Sequence, residues 1–74
     1  MAQKKLKLLY LAKLLWEQTD EGHTVTVNGM IRYLDQQGIH AERKAIYEDL
    51  ELLQDFGLDI VNTKTKTHKY YLGL

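Results

Sequence analysis

GIHAERKAIYEDLELLQDFGLDI, residues 38–60, holds one structural unit between two glycines. Gly38 opens a turn, Gly38-Ile39-His40, and a helix is expected over about 41–56. At about 100° per residue, Ala45, Ile46, Asp49, Leu50, Leu52, Leu53 and Phe56 fall on one broad arc. Arg43, Lys44, Tyr47, Glu51 and Gln54 fall on the other, so the cations sit on the solvent side of the first turn. Asp49 lies among apolar neighbours, and a charge placed there requires a partner; a structural ion pair or hydrogen bond is the expected role. Gly57 ends the helix, as glycine commonly does, and Leu58–Thr63 alternates as a strand.

Working outward, Gly38 also closes an upstream helix over about 27–37, with Met30, Ile31 and Leu34 at helical spacing. Thr26 is its expected N-cap. A capping box would place Glu or Gln at position 29, where Gly29 stands, so a soft helix start is expected. His23–Val27 alternates and predicts a very short strand, after a polar loop TDEGH at 19–23. Residues 4–18 contain strong helix formers and neither Gly nor Pro. Leu8, Leu11, Ala12 and Leu15 form one apolar stripe of that helix, and Leu6, Leu9, Tyr10 and Trp16 make the other side apolar. Such a helix is buried on more than one face. Either a second subunit or domain meets the extra face, or the hairpin and the third helix cover it. Trp16 and Phe56 are read as core. Downstream, TKTKT at 63–67 is a hairpin tip and His68–Leu72 the return strand, with one of Tyr70 and Tyr71 facing inward.

At 74 residues the chain forms one small domain, of which roughly 60% of the unfolded surface is buried on folding. It has no cysteine, which excludes disulfides, thiolate catalysis and cysteine zinc sites. His23, His40 and His68 are far apart with no metal-ligand spacing, so no metal is expected. No nucleophile–base set is visible, and neither an enzyme nor a cofactor is expected. The N-terminus mixes lysines into leucines, which is neither a signal peptide nor a membrane span, and a cytoplasmic location is expected. The chain stops one residue after Gly73, just past the last strand, and reads as a domain of a longer protein.

The net charge is zero, from 10 basic and 10 acidic residues, which counts against a nucleic-acid binder because phosphate neutralisation dominates such binding. The distribution is dipolar. Residues 1–16 carry Lys4, Lys5, Lys7 and Lys13 with no acid, and residues 60–74 carry Lys64, Lys66 and Lys69 with no acid. Acids gather at Glu17, Asp20 and Glu21 and along 48–59. The sign of the face that meets the partner is what matters.

The order helix, turn, cationic helix, hairpin predicts an α+β winged helix-turn-helix of three helices and a small antiparallel wing sheet. In that arrangement the third helix enters the major groove of double-stranded DNA. Arg43 is suited to a guanine edge or a phosphate, Lys44 to phosphate, and Tyr47 to a phosphate or a thymine methyl. Lys64, Lys66 and His68 on the wing are expected on the flanking backbone, with Lys4 and Lys5 adding phosphate contacts. His40 immediately precedes the helix.

Residues 4–73 resemble the N-terminal winged helix-turn-helix of DeoR-like bacterial transcriptional regulators, most of all those with a C-terminal WYL domain. The resemblance rests on KLLYLAKLLWEQTDEGHTVT and on GIHAERKAIYEDLELLQDFGLDI. It implies sequence-specific DNA binding, a dimer, and a ligand-sensing domain beyond this chain, with no small-molecule ligand in this domain. It also implies a recognition helix at 41–54. The family's run of basic residue, Thr or Ser, Ile, any residue, Arg, Asp, Ile or Leu falls on Lys44, Ala45, Ile46, Tyr47, Glu48, Asp49 and Leu50. Ala45 lacks the usual hydroxyl and Glu48 replaces a cation, and each change removes a phosphate contact. The alternative is a winged-helix module for protein interaction or dimerisation without DNA binding. Neutral charge, Glu48 and the doubly apolar first helix favour it, and a homodimer through that helix is expected on either reading.

Overall fold

A computed structural model describes residues 3–64 and 68–73, with side chains from Lys5 onward except that of Lys64. It contains α1 (Gln3–Gln18), β1 (Val25–Thr26), α2 (Val27–Gln36), α3 (Arg43–Phe56), β2 (Ile60–Lys64) and β3 (His68–Leu72). Three helices therefore pack with a three-stranded antiparallel sheet of order β1-β3-β2, an α+β arrangement. The central strand β3 pairs Tyr70 with Val25 on one side and with Asn62 on the other. No helix among the described residues is long and apolar enough to cross a membrane.

Each helix buries one stripe. Leu11, Leu14 and Leu15 of α1, Val27, Met30 and Leu34 of α2, and Ile46, Leu50 and Leu53 of α3 form the core with Tyr70 and Leu72 of β3. The third- and fourth-residue spacing within each set is that of one helix face. Thr19 ties this core to the sheet: its hydroxyl donates to the Leu15 carbonyl at 2.6 Å and accepts the Leu72 N–H at 3.0 Å.

The ends of α2 follow from its sequence. Thr26 accepts the Gly29 N–H at 3.0 Å, the expected cap. The glycine at 29 has a packing reason, since a Cβ there would stand 3.0 Å from Val25 Cγ2 and 3.4 Å from Thr26 Oγ1. Close packing thus accounts for the glycine where a capping box would carry Glu or Gln. At the other end Gly38 adopts φ +78°. The Gly38 N–H donates to the Asp35 carbonyl and the Ile39 N–H to the Leu34 carbonyl, both at 2.9 Å, which is the Schellman arrangement.

α3 begins at Arg43, two residues later than the propensity of Ala41 and Glu42 suggests. The chain from 39 to 42 is extended, burying Ile39 and Ala41 and exposing His40 and Glu42, so burial of Ala41 overrides its helix preference. α3 ends as α2 does, with the Leu58 N–H donating to Leu53 at 3.0 Å. That bond holds Leu58 out of the strand, and β2 starts at Ile60. Tyr70 is the inward tyrosine of β3, and Tyr71 is half-buried.

Asp49 finds its partner in Lys7 of α1, with Nζ to Oδ2 at 3.1 Å and both side chains largely withdrawn from solvent. Oδ2 has no well-directed hydrogen bond, so charge rather than bond geometry holds the contact.

The assignment of Trp16 and Phe56 to the core is corrected. Trp16 is 63% exposed and Phe56 83%. Trp16 sits one residue, about 100°, beyond the buried Leu15, and Phe56 is the last residue of α3, where the chain turns away at Gly57. Leu52 is likewise exposed, so the buried arc of α3 is narrower than its apolar arc. Tyr10 is half-buried and packs edge-on against Tyr33, with ring centres 6.3 Å apart. The second apolar face of α1 is therefore divided: Tyr10 is engaged, while Leu9 and Trp16 stay open to solvent. Among the described residues, neither the hairpin nor α3 buries Leu9 or Trp16.

Candidate nucleic-acid interface

α3 displays its cations where the turn has turned it outward. Arg43, Lys44 and Tyr47 are all exposed on its first turn and a half, because Ile46, Asp49 and Leu50 take the inner side. The Arg43 guanidinium donates to Oδ1 of Asn28 at the start of α2. This bond bridges two helices and points one edge of the guanidinium; the fork has five N–H donors, leaving others for a base edge or a phosphate. His40 is exposed in the extended segment just before. The backbone amides at the start of α3 have no side-chain cap, since Glu42 makes no capping hydrogen bond.

Burial raises the Tyr70 phenol above the ordinary tyrosine value, and the neighbouring Tyr47 phenol adds to the rise.

On the hairpin, His68 and Lys69 are exposed at the start of β3. His68 Nδ1 lies 3.2 Å from Asn62 Nδ2 across the β2–β3 pair, and the Thr63 hydroxyl donates to the Lys69 carbonyl at 3.2 Å. Lys66 and the side chains of Lys4 and Lys64, all expected phosphate contacts, lie outside the described residues. Lys5 is exposed on α1, and no hydrogen bond or ion pair among the described residues ties it to the α3 face.

Three polar residues of this region escaped the sequence reading. Asn28 and Arg32, one turn apart on the outer face of α2, are exposed, and the polar side of the Val27/Met30/Leu34 stripe was the available signal. Lys69, exposed next to buried Tyr70, could have been read from the alternation of β3.

The electrostatics are mixed. Glu42, Glu48 and Glu51 are exposed on or beside α3, so its positive character is confined to Arg43 and Lys44, with Arg32 on α2. Chemically, the region offers directional N–H donors, a phenol and an imidazole. Comparison with protein-family models, curated proteins and solved structures found no match.

Proposed function

We propose that the chain is a winged helix-turn-helix that binds double-stranded DNA, the DNA-reading part of a bacterial transcriptional regulator. α3 enters the major groove and the β2–β3 hairpin rests on the flanking backbone. The observation that carries this reading is the placement of Arg43, Lys44 and Tyr47 on the free side of α3. They stand between an α2–α3 turn and a hairpin that follows α3 directly. Arg43, held by Asn28, is the base-reading candidate, and Lys44, Tyr47, His40, His68 and Lys69 position the duplex. Separating base readout from backbone positioning in this way is general to such complexes.

A second reading, a protein-interaction module without DNA binding, is favoured by the exposed Glu42, Glu48 and Glu51 and by the open apolar surface of α1. Selection from a random duplex pool distinguishes the two, followed by fluorescence anisotropy at several salt concentrations. DNA binding gives an enriched motif and an affinity that falls steeply with salt. A folded protein that binds no duplex at low salt overturns it.

A further inference from the structure

Two cavities away from the start of α3 share one residue, Trp16. The first is an apolar groove of about 750 Å³ between α1 and the end of α3. Leu9 and Trp16 project from its α1 wall and Leu52 and Phe56 from its α3 wall, all four more than half exposed. Lone exposed apolar residues are ordinary, but a contiguous set marks a contact surface. The second cavity, about 390 Å³, lies where the loop after α1 meets β2 and β3, and Asp20, Glu21 and Asp59 line it beside Tyr71.

These acids are held in place. Asp20 Oδ1 accepts the Gly22 N–H at 2.8 Å and lies 2.9 Å from His23 Nδ1. The Gly73 N–H donates to the Asp59 carbonyl at 2.8 Å, and a Cβ on Gly73 would stand 2.8 Å from Asp59 Oδ2. Glycine at 73 thus lets the Asp59 carboxylate lie against the end of β3. Among the described residues no group of three or more histidines and carboxylates could hold a metal ion. The acids are spread around a cavity, a spacing that fits an extended organic cation. Among the residues lining the two cavities, Asp20, Glu21, Asp55 and Asp59 stand against a single cation, Lys13.

We propose that the joined groove and acidic cavity receive a short amphipathic helix of another protein, its apolar stripe in the groove and a lysine- or arginine-bearing end over Asp20, Glu21 and Asp59. A helix laid into a groove by apolar residues three and four apart is a general mode of recognition. The walls have the matching period: Leu9 and Trp16 are two turns apart on α1, and Leu52 and Phe56 one turn apart on α3. The excess of carboxylates selects a basic segment over an acidic one. Trp16, common to both cavities, offers its ring to the cation as well as to the apolar stripe. The open apolar area is modest, which fits a transient contact with a short segment rather than a folded partner.

Phe56 lies nine residues beyond Tyr47, about 13 Å along the axis, so a helix in the groove leaves the start of α3 uncovered. The inference goes beyond DNA binding and stands without it. It also gives the neutral net charge a physical meaning, with acids on this face and Arg43 and Lys44 on the other.

Selection of random peptides of ~16 residues, about 24 Å long as a helix, from phage displayed against the immobilised chain tests it. Counter-selection on Phe56→Ser removes peptides that bind elsewhere. The expected consensus has apolar residues three and four apart and lysine or arginine at one end. A synthetic peptide of that consensus should bind the wild type at about 10 µM and gain helical circular dichroism. Phe56→Ser removes an exposed side chain, so the variant should stay folded and bind at least about tenfold more weakly. Glu21→Gln, Asp55→Asn and Asp59→Asn together should weaken binding about tenfold, the worth of three exposed pairs; Asp20 is spared because it also holds the loop at Gly22. Arg43→Ala should leave peptide affinity unchanged, so this proposal and DNA reading can fail separately. Failure to enrich any peptide overturns the proposal, including when the groove still takes an apolar dye. So does a consensus that is acidic or uncharged, and so does a triple variant that binds as the wild type does.

Discussion

Arg43 and Asn28 lie fifteen residues apart in the chain, yet the guanidinium of one donates to the side-chain oxygen of the other. The contact crosses from the start of α3 to the start of α2, so the residue proposed to read DNA is aimed by the helix behind it. Arg43→Ala should weaken binding to a selected site by about 1–3 kcal/mol, the worth of a bidentate base contact. Asn28→Ala should cost less, because it frees the arginine without removing it. The double variant should match Arg43→Ala, as coupled neighbours are non-additive. Anisotropy on one duplex checks all three; equal and additive losses would mean that Asn28 acts on DNA independently.

The hairpin lysines should act without regard to sequence. Replacing Lys64, Lys66 and Lys69 by Ala is expected to lower affinity similarly on selected and random duplexes. The slope of log affinity against log salt should fall by about one unit per lost phosphate contact. A loss confined to the selected site would give these residues a reading role instead.

The Lys7–Asp49 pair should matter for stability. Removing one partner of a buried pair costs about 3–5 kcal/mol; these side chains keep 14% and 12% exposure, so Lys7→Met is expected to cost about 2–3 kcal/mol. Lys7→Met with Asp49→Leu should recover most of the loss, because no charge is then left unpaired. Urea unfolding monitored by circular dichroism measures both.

Alkaline pH should destabilise the fold through Tyr70. Its folded value is raised by burial and then by Tyr47. Above the ordinary tyrosine value near 10, the unfolded chain loses this proton before the folded one does. Stability that is fully present below that value is therefore lost as pH rises through the folded value. Spectrophotometric titration should show one of the five tyrosines ionising late, and Tyr70→Phe should remove that step and flatten the alkaline decline. Five tyrosines ionising together would contradict the assignment.

Much of the framework was legible because local chemistry dictated it. The Thr26 cap, the glycine stops at 38 and 57, and strand His68–Leu72 all stand where local patterns place them. The need of Asp49 for a partner was legible too. The partner's identity was not, since Lys7 is remote in sequence and one lysine among several. Ala41 illustrates a tertiary override: its helix preference yields to burial in an extended segment. Leu52 and Phe56 show the converse, apolar residues on the expected face that stay more than half exposed. In the candidate site, the exposed cations of α3 could be read from helical phase, whereas the Asn28 contact depends on how two helices cross.

The central claim, that the start of α3 reads duplex DNA, is tested most directly by nuclear magnetic resonance titration of the ¹⁵N-labelled chain with a selected duplex. Amide shifts should concentrate at His40, Arg43, Lys44 and Tyr47, with Asn28 beside them and His68 and Lys69 on the hairpin, and should leave Leu9, Trp16 and Phe56 little changed. Shifts centred on the groove between α1 and the end of α3, or no shifts at equimolar duplex, would contradict it.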